Sequence, residues 1–142
     1  MKIRNLLLVT ALTLVAGIAF AGLKQPAAVV VDLDNMNAFG DQNTARIARD
    51  DVSFIGCGTR DFDDGIITPF SFGFCQAGDS DEIQIVCFTQ NATLMDAMKA
   101  HSAFAFITFS WQDDGGGGAE CIRVGSSTQS FYLPNLTTKG KN

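Results

Sequence analysis

The chain is poor in the residues on which much enzyme chemistry depends. Its 142 residues include one histidine, one tryptophan, one tyrosine and three prolines. A Ser-His-Asp or Cys-His relay therefore has one possible base, His101, and no G-x-S-x-G elbow presents a serine to it. There is no C-x-x-C motif, so neither a thioredoxin-type redox pair nor a closely spaced zinc half-site is present. Basic residues are scarce as well, at 10 against 15 acidic ones. No part of the sequence calls for a cofactor.

Long apolar runs are absent after the first 21 residues. That opening segment has the layout of a secretory signal peptide. Lys2 and Arg4 form a positive start, residues 6–18 carry no charge, and Ala19-Phe20-Ala21 is a small-x-small cleavage site that leaves Gly22 at the mature end. The uncharged run spans 13 residues from Leu6 to Ile18, short of the ~20 needed to cross the hydrocarbon of a bilayer. The expectation is an exported product, periplasmic or extracellular, with no membrane span after cleavage. Cleavage also removes two cations and no acid, leaving 8 basic residues against 15 acidic, a net charge of −7. Such a surface repels phosphate backbones, so nucleic acid is not an expected partner.

Four cysteines are present: Cys57, Cys75, Cys87 and Cys121. An even number behind a signal peptide predicts two disulfides, and the spacing leaves all three pairings open.

Residues 22–44 read as an N-terminal lead-in with one apolar patch, Ala27 to Val31, suited to a first strand, followed by a polar loop at Asp32–Asn37. Residues 45–134 read as a single β-rich domain, and residues 135–142 as a flexible tail. Within the domain, Val52–Cys57 is strand-like and ended by Gly58, and Asp61–Gly65 is an acidic turn. Phe70, Phe72 and Phe74 alternate strictly with Ser71, Gly73 and Cys75. The larger apolar set is expected to face the core. Glu82–Phe88 then returns as the second arm of a β-hairpin. Asn91–Ala92–Thr93 supplies N-cap candidates for the only helix the periodicity supports, with Leu94, Met95, Ala97, Met98 and His101 near a 3.6-residue repeat. Residues 103–111 form a long aromatic strand, residues 112–118 a glycine-rich hairpin tip, residues 119–124 the return strand, and residues 127–133 a last strand stopped by Pro134. The expected fold is mainly β with one short helix (α+β), either a small OB-like barrel or a curved antiparallel sheet, stapled by disulfides.

Three blocks carry a resemblance. They are Ala45-Arg46 with Asp50 to Cys57; Cys75-Gln76-Ala77 through Cys87; and Phe104 to Trp111 with Cys121-Ile122-Arg123-Val124 and Ser130 to Pro134. Together they resemble a family of small, secreted, uncharacterised proteobacterial proteins with four cysteines, which implies a bacterial source and carries over no catalytic residue. The stretch from Leu94 to Leu133 is also similar, more weakly, to the OB-fold B subunits of AB5 toxins of the subtilase-cytotoxin type. That likeness implies a pentamer that binds glycans.

These readings order the functions. A non-enzymatic exported structural or interaction domain, packing with copies of itself through aromatic strands, comes first. A glycan-binding OB-type module comes second, with Trp111 or Tyr132 stacking on a sugar ring. A small hydrolase working with turn carboxylates comes third; Asp61, Asp63 and Asp64 form one acidic set and Asp113 with Asp114 another. The first set is also a weak calcium candidate.

Overall fold

The computed structural model describes residues 22–66 and 68–134. The signal peptide and cleavage site expected at residues 1–21, and the tail expected at residues 135–142, lie outside these.

Seven strands form one open sheet in the order β1-β2-β6-β7-β5-β4-β3. They are β1 (Val30–Asp32), β2 (Asn37–Asp41), β3 (Phe54–Phe62), β4 (Phe70–Gly78), β5 (Gln84–Thr89), β6 (Phe106–Asp113) and β7 (Ala119–Ser127). Among the described residues two short helices accompany them, α1 (Gln42–Ile47) and α2 (Ala92–Lys99), with a 3-10 turn at Ser130–Tyr132. All the pairings are antiparallel except the meeting of β5 and β7, which is parallel through Phe88 and Glu120. The sheet is curved instead of closed. In the strand order β1 and β4 stand five positions apart, which in a flat sheet would be about 24 Å. Yet the Val31 N–H donates to Asp79 Oδ2, at the end of β4, over 3.4 Å.

The lead-in thus contributes two strands to the sheet. Asp32 makes the turn between them, accepting from the Asn35 N–H and side-chain amide at 2.9 and 2.8 Å. Asp41 ends β2 and begins α1. It is 1 % exposed, and its carboxylate accepts from the Thr44 N–H at 2.7 Å and the Ala27 N–H at 2.6 Å. A buried carboxylate is tolerable only with such donors.

Three expectations are revised. Gly58 does not end the first domain strand; β3 runs on through Thr59, Arg60, Asp61 and Phe62, pairing with β4 down to Phe62↔Phe70. The aromatic strand starts later than residue 103, because Phe104 takes a left-handed φ of 61° that an extended strand cannot contain. The strand expected at residues 127–133 is a 3-10 turn after Ser127, in which the consecutive rings of Phe131 and Tyr132 meet edge-on at 4.6 Å and Tyr132 stacks on Phe106 at 5.6 Å.

The cysteines form a ladder. Cys57↔Cys75 and Cys75↔Cys87 are register partners, and Cys121 lies beside Cys87 on the next strand. The disulfides join Cys57 to Cys75 and Cys87 to Cys121, so the row crosses four adjacent strands as two staples. This row faces inward with Ile55, Ala77, Ile107, Phe109, Trp111 and Met98, which together make the core.

Candidate functional site

The orientation of β4 decides which surface is available for function. Gly73, Cys75 and Ala77 point inward and are buried. A β-carbon on Gly73 would lie 2.5 Å from Met98 Sδ and 3.1 Å from Met95 Cγ, so α2 rests directly on the strand at this glycine. Because side chains alternate across a strand, Phe70, Phe72 and Phe74 must point to the opposite face. The expectation that this stripe is core is therefore reversed: the small residues and cysteines are inside and the phenylalanines outside.

The register extends the stripe over four strands. Phe62 of β3 is opposite Phe70, Arg60 is opposite Phe72, Phe88 of β5 is opposite Phe74, and Val86 is opposite Gln76. Beyond Phe88 the same line reaches Glu120 of β7, with Ile122 two residues on. Phe62, Phe70, Val86, Phe88 and Ile122 are each 41–49 % exposed, and no described element covers them. The rings hold one another in place. Phe62 is nearly parallel to Phe70 at 4.9 Å and to Phe72 at 5.9 Å, while Phe72 meets Phe88 edge-on at 5.8 Å. Arg60 lays its guanidinium 4.9 Å over the Phe74 ring. This geometry suits a cation–π contact and keeps a positive charge beside the apolar stripe.

Beside the stripe are two open clefts that share Phe88. One, of about 590 Å³, is lined by Phe72, Phe88, Gln90, Asp114 and Glu120 among others. The second, of about 490 Å³, has Gln84, Phe88, Trp111 and Asp113 in its wall.

The residues singled out by sequence are dispersed. Trp111 is a core residue, 6 % exposed and packed on Phe109, with only its margin reaching the second cleft. Tyr132 is packed on Phe106 at the other end of β6. Trp111 lies five positions along the strand from Phe106, about 17 Å, so the structure does not bring Trp111 and Tyr132 together. Asp61 accepts a hydrogen bond from the Ser71 hydroxyl, and Asp64 accepts from the Ile66 N–H at 2.9 Å. Among the described residues no three His, Cys, Asp or Glu side chains are grouped as metal ligands.

Three carboxylates, Asp32, Asp50 and Asp114, are tuned in the wrong direction for a general acid, which needs a raised pKa. Asp114 accepts from the Gly116 and Gly118 N–H groups, and these hold its carboxyl below the usual range. Asn35 does the same for Asp32, and Ser53 with Val52 for Asp50. His101, the one candidate base, has its pKa pushed down by burial, and neither ring nitrogen has a hydrogen-bond partner among the described residues. It follows the end of α2.

The aromatic stripe was visible as a pattern, but its position as a surface was not. The one local signal is Gly73, an unlikely inward residue unless something packs closely upon it. No known protein family, curated protein or solved structure matches the chain.

Proposed function

We propose that this protein is an exported, disulfide-stapled interaction domain, without catalytic chemistry of its own, that docks through the outer aromatic face of β3, β4, β5 and β7. The single observation carrying this reading is a contiguous, register-aligned apolar stripe that no described element covers, on one side of a sheet whose other side already has a packed core. Soluble chains seldom display such a patch without using it. Export is supported by the signal-like opening segment and by two intramolecular disulfides, which persist in oxidising compartments. No helix among the described residues is long and apolar enough to cross a membrane.

The test replaces Phe88 with the photoreactive analogue p-benzoylphenylalanine and irradiates cells producing the protein. A control carries the same analogue at Leu33, which is 52 % exposed in the β1–β2 turn. A discrete adduct from position 88 and none from position 33 supports docking through this face. Equal labelling at both positions, or none at either, refutes it.

A second reading, glycan binding, draws on the cleft of about 490 Å³ where Phe88 and the margin of Trp111 lie near Gln84 and Asp113. Aromatic rings beside amide and carboxylate acceptors suit a sugar. A blank glycan array would end that reading without touching the first.

A further inference from the structure

Resting on the reading of the aromatic face as the docking surface, we infer that its occupant is a second copy of this chain, placed face to face about a two-fold axis that runs along the strands between β4 and β5.

The first argument is area. Phe62, Phe70, Val86, Phe88 and Ile122 are each close to half exposed. With ~200 Å² for a phenylalanine and somewhat less for the aliphatic residues, they present about 400 Å² of apolar surface before the half-buried Phe72 and Phe74 are added. A stable interface takes about 800 Å² from each partner, a little over half of it apolar. The stripe therefore supplies close to the apolar share one protomer of a standard dimer must bring. Two sheet faces carrying interlocking side chains pack about 10 Å apart, an arrangement open to a second copy of the same stripe.

Charge is the second argument. The four strands that form the face stand in the order β3-β4-β5-β7. Arg60 is on β3 and Glu120 on β7, at opposite flanks. Arg60 leans over Phe74, Phe74 is opposite Phe88, and Phe88 is opposite Glu120, so cation and anion stand on one line across the sheet. A two-fold axis along the strands, midway between β4 and β5, exchanges β3 with β7. It sets each copy's Arg60 against the other copy's Glu120, and the contact is made twice. Isologous dimers have this self-complementarity, in which one patch meets itself.

Edge-to-edge pairing through β3 is the competing arrangement, and Arg60 opposes it. The close Cα approach of 4.0 Å at Cys57–Cys75 marks a narrow pair, and pairs alternate along the ladder, so Thr59 also turns its N–H and C=O away from β4 toward the open edge. The Arg60 guanidinium donates to that Thr59 carbonyl at 3.0 Å. A strand edge covered by an arginine side chain is blunted against further pairing.

The experiment is sedimentation analysis of the mature, disulfide-bonded protein over a range of concentrations, together with the variants Phe88→Ser, Arg60→Glu, Glu120→Lys and the double variant Arg60→Glu/Glu120→Lys. The expected result is a reversible dimer. Phe88→Ser and each single charge reversal should weaken it by about tenfold or more, and the double reversal should restore it to within a few-fold of the parent. Restoration is a readout that a misfolded variant cannot imitate. A chain that stays monomeric at every concentration overturns the second copy as occupant. In that event a photo-adduct from position 88 to a chain of another mass would leave the docking face standing, and no adduct would remove both. A dimer indifferent to Phe88→Ser and to the charge reversals overturns both as well, since association would then use another surface.

Discussion

Replacing Gly73 by valine tests the inside–outside assignment of β4 by the sign of its effect. The new side chain would point at Met98 and Met95, with its β-carbon already 2.5 Å from Met98 Sδ and 3.3 Å from Met98 Cε. A thioether can swing aside for one methyl group; two further methyls must push α2 off the sheet. Overpacking of this kind costs about 1–3 kcal/mol, and a loss near 2 kcal/mol lowers the melting temperature of a domain this size by about 10 °C. Were the strand turned over, valine would stand on the outer face, and its higher β-propensity would raise stability by up to ~1 kcal/mol. The companion variant is Phe70→Ser on the same strand. Phe70 is 41 % exposed, so a little over half of its surface is covered. Serine would keep roughly half of that cover, and the ~60 Å² lost amounts to about 1.5 kcal/mol. A phenylalanine buried in the core would cost about 3–5 kcal/mol. Urea denaturation with both disulfides intact measures both variants. The double variant Gly73→Val/Met98→Ala should lose less than the sum of the two single losses, by about 1 kcal/mol or more, because the two side chains compete for one space. A Gly73→Val protein as stable as the parent, with Phe70→Ser severely damaged, would refute the assignment.

Two other predictions concern the core side of the sheet. Peptide mapping without reduction should recover Cys57 joined to Cys75 and Cys87 joined to Cys121, and the Cys87→Ser/Cys121→Ser protein should lose more stability than Cys57→Ser/Cys75→Ser. Their sequence separations of 34 and 18 correspond to about 4 and 3 kcal/mol of loop-closure entropy; a Cys57–Cys87 peptide, joining strands that β4 separates, would contradict the register. His101 should make stability fall in mildly acidic solution. Its pKa is depressed in the folded state, so the unfolded chain takes up the proton first, and stability present above pH 6.5 declines as the pH drops through 6.5 toward the folded value. Because the chain has one histidine, the stability difference between pH 7.5 and pH 5.5 should shrink in His101→Leu; an unchanged difference would assign the effect to carboxylates.

The parts of this fold legible in the sequence are those where one local rule acts alone. The β4–β5 hairpin follows from alternation and the Gly78–Asp79 turn, and α2 from the 3.6-residue period behind Asn91, whose side chain accepts from the Leu94 N–H. Two disulfides followed from an even cysteine count. Helix α1 was hidden because its six residues are too few to show a period, and its start depends on the buried Asp41, whose neighbours Ala27 and Thr44 meet it only in the folded chain. Strands β1 and β2 looked like a lead-in because each is short and the turn between them is polar. For the candidate site the difficulty was different. Alternation separates Phe70, Phe72 and Phe74 from Gly73, Cys75 and Ala77, but both sets are apolar enough to be buried. The choice was made by the approach of α2 to Gly73, a tertiary contact that no window on the sequence contains. Trp111 stood out for its rarity, and rarity says nothing about whether a ring closes a core or receives a ligand.

Hydroxyl-radical footprinting of the dilute protein, read at each phenylalanine by mass spectrometry and repeated at high concentration, tests the outward aromatic face most directly. Phe62, Phe70 and Phe88, at 44, 41 and 48 % exposure, should oxidise readily in dilute solution while Phe109, fully buried, stays silent, and the three should become protected together as the concentration rises. If Phe70 and Phe88 are as inert as Phe109 in the dilute protein, the stripe is core and the account of this surface is wrong.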